Sequence, residues 1–223
     1  MGKDSQRNDR FRERREALKE KGLEEIEGCR IECGDFRKLL PKLVKDSIVD
    51  LIFTDPPYKR EFLSLWEDLG REAKRVLKDG AYLITYCGHY QLPEVMQALG
   101  NHLSFYHPCG VKHTRGTDLM YSKNIQALWK PILIYSKGKG RDHQQIFDFL
   151  VGEKGDKEVH PWAQAVSEAE YFIKAFTVEG EFVVDPFCGM GTTIKAGRVS
   201  RRKALGIDVD LSCCEVAEGF VKE

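Results

Sequence analysis

The chain of 223 residues carries 35 lysines and arginines against 35 aspartates and glutamates, so its formal net charge is zero. A chain of this length suits one α/β domain, which buries roughly 70% of its unfolded surface. Because 42% of the residues are hydrophobic and 10% are aromatic, the composition is that of a globular protein and excludes a disordered tail. The balanced charge excludes a protein that coats nucleic acid by bulk charge, but it allows a local basic patch.

Targeting and metal-binding signals are absent from the sequence. The N-terminus, MGKDSQRNDRFRERR, has no apolar stretch, and no run approaches the ~20 apolar residues of a membrane span. The seven cysteines are irregularly spaced and form no CxxC pair, so we expect reduced thiols in a cytoplasmic protein. His107, His113 and His160 fit no compact ligand set, and we expect no metal.

The N-terminal segment is highly charged. Residues 1–22 hold eight lysines and arginines against five acids, a net charge of +3, with few apolar residues. This run predicts a solvated helix or arm over residues 1–25, with a DNA-binding arm as the alternative interpretation. A single folded domain is expected over residues 26–223.

From residue 29 onward, short apolar runs alternate with amphipathic stretches. The predicted strands are 29–33, 48–54, 81–87, 103–106, 131–135, 182–186 and 204–208. The predicted helices are 62–77, 92–99, 161–176, 192–200 and 211–221. This alternation predicts an α/β fold with a mostly parallel sheet that binds ligands beyond the carboxyl ends of its strands.

One turn, at residues 185–192, has the character of a cofactor site. Glycines at 189 and 191 let the backbone approach a ligand without a Cβ clash, and Asp208 ends the next strand 19 residues after Gly189. A carboxylate about 20 residues on can hold two ribose hydroxyls. Isoleucine at 194 replaces the third glycine of a dinucleotide fingerprint, and the turn has no lysine for phosphates. The pattern therefore favours S-adenosylmethionine over a nicotinamide cofactor, with Asp185 facing its cationic tail; a plain tight turn is the alternative.

A second turn, Asp55-Pro56-Pro57-Tyr58, ends a predicted buried strand. The prolines fix the backbone and lack N–H donors, so local carbonyls stay available as acceptors. A carboxylate, a carbonyl and an aromatic face suit a planar amine, and the carboxylate would stabilise positive charge developing on its nitrogen. The alternative is a structural turn in which Asp55 caps a helix and Tyr58 packs.

These two turns resemble the motifs of the amino-methylating DNA methyltransferases, which modify N6 of adenine or N4 of cytosine. The segment from Asp185 to Thr193 matches that family's DPFxGxGTT cofactor motif, and the turn from Asp55 to Tyr58 matches its catalytic motif. Gly34-Asp35 resembles its acidic contact to the cofactor adenine, and the segment from His160 to Gln164 resembles its helix start. The resemblance covers about residues 26–219.

Motif order resembles the family's β arrangement, because the catalytic turn precedes the cofactor turn. The resemblance implies a single circularly permuted, Rossmann-like S-adenosylmethionine-dependent methyltransferase domain with a mostly parallel seven-stranded sheet. It implies the catalytic residues Asp55, Pro56, Pro57 and Tyr58. With the spacing argument, it gives the cofactor-binding residues Asp35, Asp185, Pro186, Phe187, Cys188, Gly189, Gly191, Thr192, Asp208, His160 and Trp162.

A basic, loop-rich segment is the candidate for contact with nucleic acid. Residues 110–145 hold seven lysines and arginines against two acids, a net charge of +5, with interspersed aromatics. The candidate contacts are Lys112, Arg115, Lys123, Asn124 and Lys130. In the family this position holds the target-recognition region, here a short insert over about residues 110–130. We therefore expect modest sequence discrimination, a very short recognition site, or help from a second subunit in a homodimer.

The leading hypothesis is an S-adenosylmethionine-dependent DNA methyltransferase that acts on N6 of a flipped adenine. Asp at position 55 resembles the adenine enzymes more often than the cytosine enzymes, and N4-cytosine methylation is the close alternative. An RNA or protein N-methyltransferase and a non-enzymatic nucleic-acid-binding module are the further alternatives.

Overall fold

The computed structural model describes Glu13 and residues 28–112, 118–151 and 166–222. Apart from Glu13, the arm predicted over residues 1–25 therefore lies outside the described residues. So do three predicted site residues, Arg115, His160 and Trp162.

The described strands and helices include a counterpart for every element predicted from the sequence. The strands are β1 (Cys29–Cys33), β2 (Val49–Thr54), β3 (Leu77–Tyr86), β4 (Ser104–Lys112), β5 (Asp118–Met120), β6 (Ile125–Ala127), β7 (Lys130–Ser136), β8 (Phe149–Val151), β9 (Phe182–Asp185) and β10 (Lys203–Asp208). The helices are α1 (Phe36–Leu43), α2 (Leu63–Val76), α3 (Leu92–Gly100), α4 (Val166–Phe176), α5 (Thr192–Val199) and α6 (Leu211–Lys222). None of these helices has both the length and the apolar character needed to cross a bilayer.

Eight of the strands form one sheet in the order β1-β10-β9-β2-β3-β7-β4-β8, while β5 and β6 form a separate hairpin. Neighbours from β1 to β3 pair in parallel, and β7 runs antiparallel to β3 and β4. The first strand, β1, pairs with the last, β10, so the two ends of the described fold meet in the sheet. The mostly parallel Rossmann-like sheet is thus confirmed.

The expected seven strands are too few, because β8 adds an eighth at the edge. This three-residue strand pairs with β4, and the Gly110 N–H donates to the Asp148 carbonyl at 2.8 Å. So short a strand has no periodicity that the sequence could reveal. Strand β4 also continues to Lys112, where the sequence suggested a loop after Tyr106.

The sheet is covered on both faces. Leu40 of α1, Trp66 of α2 and Leu99 of α3 pack on one side, and Phe172 and Phe176 of α4 pack on the other. Strand β2 is buried along its whole length, which explains the apolar residues from Leu51 to Phe53 at its centre. Burying each such large side chain contributes roughly 1.5–3 kcal/mol. The core therefore fixes the strand ends, and with them the turns that follow.

One buried charge lies near the start of β2. The Asp50 side chain is 2% exposed and accepts hydrogen bonds from Lys78 and Arg141, each at 2.9 Å. The Phe182 N–H also donates to it at 3.0 Å. This network joins β2, β3 and β9 at the sheet edge opposite the predicted site.

Candidate active site

Four aspartates follow four adjacent strands at one edge of the sheet. Asp208 and Asp185 are the last residues of β10 and β9, Asp55 directly follows β2, and Asp35 lies two residues after β1. Parallel strands present their carboxyl ends at a common edge, which is where such sheets bind ligands. The structure thus brings the two predicted motifs to one place.

The catalytic turn is built around Asp55. The Tyr58 hydroxyl donates a hydrogen bond to Asp55 Oδ1, and Pro56 is buried. Burial and the neighbouring Asp55 carboxylate raise the pKa of Tyr58 well above its ordinary value, so this hydroxyl keeps its proton. Gly88, after β3, makes room for the tyrosine, because a Cβ there would lie 3.1 Å from Tyr58 Cβ. The turn therefore holds a carboxylate beside an aromatic side chain.

Lys130 completes this turn from another strand. Because β7 is antiparallel, its first residue lies at the edge where β2 and β3 end. Lys130 Nζ donates to Asp55 Oδ2 at 2.8 Å and lies 5.0 Å from the ring centroid of Tyr58 and 4.5 Å from that of Tyr86. Lys130 was predicted from the sequence to contact nucleic acid, whereas in the structure its ammonium pairs with Asp55.

Two site residues were missed by the sequence reasoning. Tyr86 ends β3, and its hydroxyl donates to Glu168 of α4 at 2.8 Å; Glu168 itself is buried. The only available signal was position, since Tyr86 lies near the end of the predicted strand that follows the catalytic turn in the chain. Glu168 gave no signal, because its partner is 82 residues away in the chain.

The cofactor turn is joined to the catalytic turn through Asp185. Its side chain is 3% exposed, and its Oδ1 accepts hydrogen bonds from Thr54 Oγ1 at 2.6 Å and from the Phe187 N–H at 3.1 Å. Burial raises the pKa of Asp185 to about 7, against the opposing effect of hydrogen bonds from Thr193 and Thr54. Asp185 therefore stabilises the cofactor turn through hydrogen bonds in the protein interior.

The backbone of the turn faces open space at Gly189. This residue has a φ of 48°, and a Cβ built on it would meet no atom within 4 Å. Its N–H donates to Asp208 Oδ2 at 2.8 Å, while the Asp210 N–H donates to Oδ1 at 2.9 Å. The predicted acid and the predicted glycine thus lie side by side. Open backbone, an acceptor carboxylate and a turn without lysine fit a phosphate-free adenosine cofactor.

Cys188 has a packing role beneath the turn. It is buried, and a Cβ at Gly206 of β10 would lie 2.8 Å from Cys188 Sγ. Burial is the main cause that raises the pKa of the Cys188 thiol. A buried thiol with a raised pKa is a poor nucleophile, which agrees with a packing role for Cys188.

Asp35 caps helix α1. Its carboxylate accepts a hydrogen bond from the Arg37 N–H at 2.9 Å and pairs with the Arg37 guanidinium at 2.6 Å, which lowers the pKa of Asp35. The next residue, Phe36, packs against Phe187 of the cofactor turn with ring centroids 4.9 Å apart. Asp35 thus lies beside the cofactor turn, and its carboxylate is paired with the Arg37 guanidinium; its contact with the cofactor adenine stays a prediction.

The basic segment is divided between the two sheet edges. Lys137 and Arg141, beyond the end of β7, pair with Asp79 and Asp50 at the edge opposite the site. On the side of the site, Lys112, Lys123 and Asn124 are exposed, and Lys123 Nζ lies 5.6 Å from the ring centroid of Tyr90. Fewer cations of this segment therefore lie on the side of the predicted site than its net charge of +5 suggests.

The chain resembles known proteins in both sequence and fold. Residues 112–219 match the family model N6_N4_Mtase, described as DNA methylase. The chain is 26% identical over 229 residues to the Type II methyltransferase M.HpaI of Haemophilus parainfluenzae, with 85% of this chain and 73% of that protein covered. In the described ranges, no cluster of His, Cys, Asp or Glu is suited to holding a metal ion.

Two solved structures share the fold. The M1.HpyAVI-SAM complex has a TM-score of 0.72 at 19% identity and covers 87% of this chain and 99% of its own. The PvuII DNA methyltransferase, described as cytosine-N4-specific, has a TM-score of 0.73 at 13% identity and covers 84% of each chain. At these identities the likeness establishes the architecture alone.

Proposed function

We propose that this chain is an amino-methylating DNA methyltransferase that uses S-adenosylmethionine to methylate N6 of adenine at a specific site in DNA. The family model over residues 112–219, the similarity to M.HpaI and the fold shared with the M1.HpyAVI-SAM complex support this proposal. One observation carries this proposal: Thr54, the residue before the catalytic Asp55, donates to Asp185 of the cofactor turn at 2.6 Å. A base amine at Asp55 and a methyl donor at the turn would therefore be neighbours.

Each half of the site has a distinct task. Asp208 would hold the ribose hydroxyls, and the open backbone at Gly189 would accept the rest of the cofactor, which supplies an electrophilic methyl group when bound. Asp55 accepts a hydrogen bond from the target amine and stabilises the positive charge that develops on its nitrogen. The Tyr58 ring stacks on the base, which is reached by flipping it out of the duplex. The surplus proton leaves after transfer, so no general base is needed beforehand.

The choice of adenine rests on the residue at position 55. Aspartate there resembles the adenine enzymes more than the cytosine enzymes, whereas the solved neighbours include a cytosine-N4-specific protein. Incubation with labelled S-adenosylmethionine and separate DNA, RNA and protein acceptors, followed by digestion, identifies the product. N6-methyladenine in DNA is expected. N4-methylcytosine without N6-methyladenine would show that the target base is cytosine. Label confined to RNA or protein would reject DNA as the substrate.

The short recognition segment leads us to propose a homodimer as well. The exposed hairpin of β5 and β6 spans only residues 118–127, with Lys123 and Asn124 at its tip. A second copy would add contacts to DNA that one copy lacks. Light scattering on the purified protein is expected to give twice the chain mass of 25.5 kDa, and a monomer bound to DNA would reject the dimer.

A further inference from the structure

The carboxylate assigned to the target amine already has a cationic partner. Asp55 Oδ1 accepts from the Tyr58 hydroxyl, and Oδ2 accepts from Lys130 Nζ at 2.8 Å. The ammonium also lies over the rings of Tyr58 and Tyr86, with centroid distances of 5.0 and 4.5 Å. An incoming amine needs this same carboxylate and the same aromatic surface.

The contacts of Lys130 are those that a methylated, positively charged nitrogen would seek. A carboxylate within hydrogen-bonding distance and two aromatic faces within about 6 Å make a favourable site for a nitrogen cation. Two cations beside one carboxylate repel each other. The ammonium of Lys130 and the charged nitrogen of the reacting base therefore compete for Asp55.

Compared with Tyr58, Lys130 is the partner of Asp55 that is able to leave. Tyr58 is held three residues from Asp55 by a turn with two prolines, so its hydroxyl cannot withdraw far. Lys130 reaches the site on a flexible four-carbon stem from the first residue of β7. The side chains of Lys130 and Asp55 are 20% and 30% exposed, so water can solvate the ammonium once it moves.

We propose that Lys130 is a positioning residue that occupies the amine site of the base-free enzyme, holds the Asp55 carboxylate in place and is displaced when the target base enters. This inference rests on the proposed function. Only the fraction of enzyme molecules in which Lys130 has left Asp55 can then accept the target base. The apparent affinity for DNA is reduced in proportion to that fraction. Removing the lysine charge would then improve DNA affinity rather than weaken it.

Two variants test the displacement, Lys130→Ala and Lys130→Met. Both remove the charge, but only alanine leaves space for a small cation. The assay measures transfer from labelled S-adenosylmethionine to plasmid DNA from a strain without amine methylation, with Lys74→Ala on the exposed face of α2 as the control. Both variants are expected to bind cofactor normally and to lower KM for DNA, whereas Lys74→Ala is expected to leave KM unchanged. At 20 mM, n-propylammonium is expected to raise KM at least fivefold for Lys130→Ala alone, at ionic strength matched with sodium chloride.

The opposite results identify another role for the lysine. If both variants bind cofactor normally by calorimetry but lose transfer, Lys130 takes part in the reaction and the proposal is overturned. A higher KM for DNA in both variants assigns Lys130 to DNA phosphates and also overturns it, as does equal insensitivity of the parent and Lys130→Ala to n-propylammonium. If the parent chain methylates no DNA amine, the proposed function itself fails, and this outcome is distinct from those three.

Discussion

Replacing Asp55 by asparagine removes one negative charge while keeping the size of the side chain and a carbonyl acceptor. Lys130 shows that a cationic nitrogen can lie 2.8 Å from this carboxylate. A full charge about 4 Å away interacts by about 4 kcal/mol at an effective dielectric constant of about 20, and half a charge by about 2 kcal/mol. At about 1.36 kcal/mol for each factor of ten, we expect kcat to fall between about 30-fold and 1000-fold.

Single-turnover transfer at saturating DNA and cofactor measures this loss directly. Calorimetric affinity for S-adenosylmethionine is expected to stay within about twofold, because Asp55 belongs to the other turn. Asp79→Asn is the matched control, since Asp79 is 94% exposed at the opposite sheet edge. If Asp55→Asn keeps more than a third of the parent rate, electrostatic stabilisation by this carboxylate is refuted.

Three further predictions concern the cofactor turn and the exposed hairpin. Gly206→Ala places a Cβ 2.8 Å from Cys188 Sγ, so we expect about 1–3 kcal/mol of destabilisation and a melting temperature lower by several degrees, and an unchanged melting curve contradicts this. The pKa of Asp185 is about 7 in the folded state against an ordinary 3.8, so its contribution to stability is complete below pH about 4 and is lost as the pH rises through 7. Urea unfolding from pH 5 to 8 is expected to show a shallower decline for Asp185→Asn, and an equally steep decline opposes the assignment. Lys123→Ala is expected to reduce the slope of log affinity for DNA against log salt by about 1, and an unchanged slope removes Lys123 from the DNA interface.

The sequence was most informative where local chemistry and burial agree. Strand β2 is apolar from Leu51 to Phe53 because both faces of the sheet are covered, and the turn after it carries the predicted catalytic residues. The same holds for β9 and the glycine turn that follows it. Strand ends with distinctive residues were therefore predictable without any knowledge of the tertiary structure.

Helix α1 was not predicted, because its sequence contains a residue that disfavours helices. Pro41 lies inside it, which weakens the helical pattern, but the Asp35 cap and the burial of Phe36 and Leu40 stabilise it. Gly80 was expected to precede β3, but the strand begins at Leu77, and the Gly80 N–H donates to the Lys137 carbonyl at 2.8 Å. In both cases long-range contacts outweigh the local preference.

The place of Lys130 could not be predicted, because it depends on the direction of one strand. Had β7 run parallel to β3, its first residue would lie at the opposite edge, far from Asp55. Charge counting instead grouped Lys130 with Lys137 and Arg141, which lie beyond the far end of the same strand. Net charge along a segment says nothing about which sheet edge each cation reaches.

The nucleosides in DNA from cells that express this chain test the central claim most directly. In a bacterial host without adenine methylation of its own, mass spectrometry of digested DNA is expected to find N6-methyldeoxyadenosine with the parent chain and none with Asp55→Ala. Absence of any methylated amine from the DNA, with the folded parent chain present in the cells, would contradict the claim that this site methylates DNA bases.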